Sequence, residues 1–79
     1  MATLPSASTP LTPRESEIEK LLCSGYTRIN VAALLGISRA TADVHTTNLY
    51  RKRRVNSHVE LVMAYIRRNG RIPDATDGG

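Results

Sequence analysis

Gly36 and Ser38 stand two residues apart inside the stretch "VAALLGISRATADVH", Val31 to His45. The glycine can adopt the left-handed backbone that ends a helix, and the serine hydroxyl can cap the first amides of a new one. A helix is therefore stopped and restarted within one tight corner. Two helices joined so closely need a small residue where their backbones approach. Ala32, four residues before Gly36, supplies it, and Ile37 closes the corner as an apolar plug. This spacing predicts a helix-turn-helix, whose second helix is offered outward and can lie in a DNA major groove.

The remaining chain carries matching start and stop signals. Thr12, Pro13 and Glu15 form the opening of a first helix, with Thr12 as N-cap and Glu15 closing a capping box. Ile18, Leu21 and Leu22 make its apolar stripe, Gly25 ends it, and Tyr26 is placed to fold back on Leu21. Thr27 caps the second helix, whose buried face is Val31, Ala32 and Leu35. The third is expected from about Arg39 to Arg54. On it Ala42, His45 and Leu49 share an inner face, while Ala40, Asp43, Val44, Thr47 and Arg51 lie opposite. Ser57 and Glu60 form a second capping box before a stripe of Leu61, Val62, Tyr65 and Ile66, and Gly70 ends that helix. No strand candidate survives, so the expected fold class is all-α, a compact four-helix domain over 11–70. The Ser/Thr/Pro-rich residues 1–10 read as a flexible lead-in or linker remnant, and 71–79 as a disordered tail.

A chain of 79 residues makes one small domain. Its core can be expected to supply only about 3–5 kcal/mol. The formal charge is +4, and Arg51, Lys52, Arg53 and Arg54 alone contribute that amount, so the rest sums to zero. Such a block suits a polyanion, or else forms a solvated helix end. With no Trp, no Phe and 3 Tyr, stacking of single-stranded bases is poorly supported. The lone Cys23 cannot form an internal disulfide, which suits a reducing cytoplasm. No apolar run reaches the roughly 18 residues of a membrane span, and the N-terminus lacks the regions of a signal peptide. His45, His58 and Cys23 have no ligand spacing, and no nucleophile–base cluster stands out, so neither a metal, a cofactor nor an enzyme is expected.

The pattern "LTPRE…I…LL..GYT…VA.LLGIS..T…H..N.Y.K…V.S..EL" resembles the LuxR-type (GerE-type) helix-turn-helix domain of bacterial transcription regulators. The likeness runs from Leu11 to about Val62. It implies a sequence-specific double-stranded DNA-binding domain of a transcription regulator, with the third helix in the major groove and the last available for a homodimer contact. By position, Asp43, Val44 and Thr47 would meet base edges. Ser38, Arg39, Thr41 and His45 would touch phosphates, as would Arg51, Lys52 and Arg54. His45 reads more readily, however, as a core or boundary histidine bonded to backbone. Leu61, Val62 and Tyr65 would serve the dimer. The sequence departs from the family pattern at four places. Asn30 stands where Glu is common, which weakens the second helix's capping box. Ala42 replaces a larger aliphatic, Asp43 a basic or polar residue, and Arg53 a usually buried leucine. Two other readings share the fold. One is a sigma factor region four-like domain, which would bring RNA polymerase as partner. The other is a protein-interaction module that no longer binds DNA.

Overall fold

The computed structural model describes residues 10–73. The expected lead-in and tail therefore lie outside the described residues, apart from Pro10 and residues 71–73. Among the described residues the chain forms four helices and no strand: α1 (Pro13–Cys23), α2 (Arg28–Leu35), α3 (Arg39–Arg53) and α4 (His58–Asn69). The all-α expectation holds.

Each helix begins on a hydroxyl. Thr12 Oγ1 accepts from the Glu15 amide at 3.1 Å, and Glu15 Oε1 accepts from the Thr12 amide at 3.0 Å. At α2 the departure at Asn30 is tolerated. Thr27 Oγ1 accepts from the Asn30 amide at 3.1 Å, while the shorter Asn30 side chain reaches back to the Thr27 amide at 3.4 Å. Ser38 Oγ accepts from the Thr41 amide at 3.0 Å. At α4 the expected capping box is only half formed. Ser57 Oγ accepts from the Glu60 amide, but the Glu60 carboxylate overshoots and accepts from the Asn56 amide at 2.8 Å. Caps of this kind contribute about 1 kcal/mol each, a sizeable share for a domain this small.

The corner closes as the glycine spacing predicts. Gly36 adopts φ 69 and ψ 31, and the Ile37 amide donates to the Ala32 carbonyl at 3.0 Å. That bond satisfies a carbonyl the helix end would otherwise leave open. The end of α3 differs from the sequence reading: the helix stops at Arg53, and Arg54 is its cap, with φ 61. It is the only non-glycine with positive φ among the described residues. A side chain in that region costs roughly 1–2 kcal/mol.

Ile18, Leu22 and Cys23 of α1 meet Val31, Leu49, Val55 and Leu61 in one core. α1 lies against α3 and α4, and α2 against α3 and α1. Burying each Leu or Ile is worth roughly 1.5–3 kcal/mol. On α3 the inner face is Ala42, Thr46 and Leu49, all fully or almost fully buried. His45, expected on that face, is only half-buried, and Thr46 takes the inward place. Thr46 can enter a core because its Oγ1 donates to the Ala42 carbonyl one turn back, at 2.8 Å. A buried hydroxyl with that bond leaves no unmet donor.

Candidate nucleic-acid interface

α3 divides into an inner and an outer side. Outward lie Ala40, Thr41, Val44, Thr47 and Arg51, all exposed, with Asp43 and Asn48 half-buried along their edge. Ala40, Val44, Thr47 and Arg51 are spaced i, i+4, i+7, i+11. They form one straight stripe of about 16 Å at 1.5 Å per residue. Val44 is 59% exposed although apolar. Asp43, Val44, Thr47, Asn48 and Arg51 line a shallow open hollow. Nothing on the stripe is larger than valine until Arg51, so a second molecule can approach the helix backbone closely. The three candidate base-reading residues, Asp43, Val44 and Thr47, thus lie together on this surface.

The polar groups at the stripe's ends are oriented. Ser38 Oγ and Thr41 Oγ1 lie 2.9 Å apart, within hydrogen-bond distance of each other. Arg39 is exposed and has no ion-pair partner among the described residues. Arg51 donates from Nη1 to Asn48 Oδ1 at 3.1 Å, a neutral partner that leaves its charge uncompensated. His45 sits half-buried beside the stripe.

The other cations at the end of α3 are differently placed. Lys52 Nζ lies 2.7 Å from Glu15 Oε1 and 3.3 Å from the Pro10 carbonyl. Arg53 donates from Nε and Nη2 to the two oxygens of Glu19, at 2.7 and 3.0 Å. Arg68 of α4 adds a third bond to Glu19, at 3.0 Å. Both glutamates are 3% exposed. They occupy successive turns of α1 on the side facing α3. Burial alone would raise the Glu15 carboxyl. The Lys52 hydrogen bond, the Thr12 amide and the Lys52 charge outweigh that and bring it below the ordinary glutamate range. The departure at Arg53 is thereby explained: where a leucine would enter the core, this arginine lays its head on Glu19 at the rim. Two of the five cations between Arg39 and Arg54, Lys52 and Arg53, are thus paired with buried carboxylates, while remaining partly exposed themselves.

Sequence reasoning did not single out Arg28. It is the first residue of α2, and its Nη1 stands 3.5 Å from Asp43 Oδ1, with the guanidinium 5.6 Å from the Tyr50 ring centroid. No short-range pattern could have announced a contact between residues 28 and 43. It follows only from how the corner crosses the two helices. Of the residues expected at a dimer contact, Leu61 is 0% exposed and belongs to the core, so its side chain is not available to a partner. Val62 and Tyr65 are half-buried. The outward stripe of α4 is instead Val59, Met63 and Ile66, 64%, 52% and 38% exposed. Cys23 is buried beside the Leu61 carbonyl, and burial together with the Glu19 charge pushes its thiol up to about 11, far from reactivity. No helix among the described residues is long and apolar enough to cross a membrane.

Known proteins resemble this chain in sequence. Residues 9–65, more than half of the chain, match the family model of the bacterial regulatory proteins of the luxR family (GerE). The uncharacterized response regulatory protein YgeK of Escherichia coli K12 is 39% identical over 62 residues, covering 78% of this chain and 42% of that protein. The transcriptional regulatory protein UhpA of the same organism is 42% identical over 52 residues, covering 66% of this chain and 26% of its own. The nitrate/nitrite response regulator protein NarP, also from Escherichia coli K12, is 35% identical over 60 residues, or 76% of this chain and 28% of that protein. This chain thus spans less than half the length of these relatives. No solved structure matches it significantly. The helix-turn-helix, the exposed outer side of α3 and the family match agree: the chain belongs to the luxR family of bacterial regulatory proteins and is a LuxR-type DNA-binding domain.

Proposed function

We propose that the domain binds double-stranded DNA sequence-specifically by laying α3 in the major groove, as part of a cytoplasmic transcription regulator. The carrying observation is the outer stripe of α3. Its small side chains are exposed, edged by polar groups, and bracketed by the outward Arg39 and Arg51. Val44 would touch a thymine methyl, and Thr47 would bond to a base edge. Arg39, the Thr41 hydroxyl, Arg51 and Arg54 would hold phosphates, with Ser38 and His45 at the rim of that contact. Lys52 takes a smaller part than its position in the sequence suggests, because Glu15 already matches its charge.

A homodimer on DNA would form along Val59, Met63 and Ile66, with Val62 and Tyr65 at the margin, and read two half-sites about 10 base pairs apart. Selection of bound sequences from random duplexes tests the reading, followed by titration from 50 to 200 mM salt. A converged consensus is expected. With three outward cations neutralising phosphates, log affinity should fall against log salt with a slope of about −2.7 per subunit. Equal affinity for all duplexes, or none at low salt, would refute it. Capture of core RNA polymerase without duplex binding would favour the sigma factor-like alternative.

A further inference from the structure

Asp43 presents a problem that the rest of the reading surface does not. A carboxylate at the edge of a helix that approaches a polyanion adds repulsion unless something matches it. The structure supplies the match from the other helix of the corner. Arg28 starts at a backbone position fixed by the Thr27 cap, so its side chain leaves α2 from a defined point. Its guanidinium then meets the Tyr50 ring on one side and Asp43 Oδ1, at 3.5 Å, on the other. Tyr50 is itself half-buried against the core. Arg28 and Asp43 side chains remain 44% and 46% exposed. A wet pair with one long contact does little for stability. Its consequence lies in charge and direction: the pair is neutral overall, and Asp43 keeps a second oxygen for another donor.

We propose that Arg28 is a positioning residue for sequence reading, holding the Asp43 carboxylate so that it accepts a hydrogen bond from a cytosine amine in the major groove. This rests on α3 lying in that groove, as proposed above. Cytosine N4 is the donor a carboxylate reads there, while thymine offers an acceptor at the same place. The Tyr50 face restrains the guanidinium, and the guanidinium in turn restrains the carboxylate. Without Arg28 the charge would stay, but its direction and neutralisation would be lost.

The test compares wild type with Asp43→Ala, Arg28→Ala and the double variant by binding-site selection. Each is then titrated against two duplexes differing only in cytosine or thymine at the position Asp43→Ala relaxes. Wild type is expected to favour cytosine by roughly tenfold or more. Arg28→Ala should flatten that preference at the same position, leave the other selected positions alone, and add nothing when combined with Asp43→Ala. Arg28→Gln keeps most of the stem without the charge and should behave alike, with melting curves showing both variants folded. Retention of the cytosine preference in folded Arg28→Ala or Arg28→Gln would overturn the proposal. So would an Asp43→Ala consensus identical to wild type. In both cases wild type still selects a sequence, so the groove reading stands. Failure of wild type to bind any duplex would remove that reading as well.

Discussion

The two sides of α3 carry the same kinds of residue and put them to different uses. Lys52 and Arg53, on the side toward α1, are committed to carboxylates that are almost wholly buried. Arg39 and Arg51, on the outer side, have no carboxylate partner among the described residues. The inner cations hold helices together, and the outer ones are available to another molecule. Net charge counts both alike, yet only the second group carries charge that no carboxylate among the described residues matches.

The largest effect that would break this distinction lies at Glu19. Glu19→Gln removes the anion shared by Arg53 and Arg68. Breaking a fully buried pair costs about 3–5 kcal/mol, but these arginines are partly wet, so about 2 kcal/mol is expected. That corresponds to a fall of roughly 10 °C in Tm for a domain this size. A Tm within 2 °C of wild type would show that the inner cations are not structural.

Next comes a matched pair of alanine variants. Lys52→Ala should lower Tm, because it strands the Glu15 carboxylate, while changing the salt slope by less than Arg51→Ala does. Arg51→Ala should reduce the slope by about 0.9 and leave Tm almost unchanged. The reverse pattern in calorimetry and titration would sink the comparison. The Glu15–Lys52 pair also sets an acid limit. A carboxyl held below its ordinary range stabilises fully above about pH 4.3, and that contribution is lost as pH falls through the lowered value. Acid unfolding should therefore be less steep in Lys52→Ala than in wild type.

The smallest effect concerns Arg54, which carries a side chain where the backbone favours none. Arg54→Gly should raise stability by up to about 1 kcal/mol while making the salt slope shallower. A lower Tm would mean that the contacts of Arg54 outweigh its backbone cost.

The helix limits were legible because caps and glycines act within four residues of chain. Thr12, Thr27, Ser38, Gly36 and Gly70 all do what short-range rules require. The exposed outer face of α3 was legible too, since the places of Val44 and Thr47 on it follow from helical period alone. Thr46 is not legible as a core residue, because the sequence does not show that its hydroxyl bonds to the preceding turn. Leu61 reads as a dimer-contact candidate because a stripe of four apolar residues does not say which of them meets the core. The buried Glu15 and Glu19, and the Arg28–Asp43 pair, depend on crossing geometry between distant segments. No local pattern encodes that.

The corner described at Gly36 and Ser38 is held by backbone conformation and by a cap, and none of Val44, Thr47 or Arg51 belongs to the core. The scaffold is consequently indifferent to which side chains its outer stripe carries. Substitutions along the outer stripe should therefore cost the fold little, and the chemistry of that surface is exchangeable without rebuilding the frame beneath it.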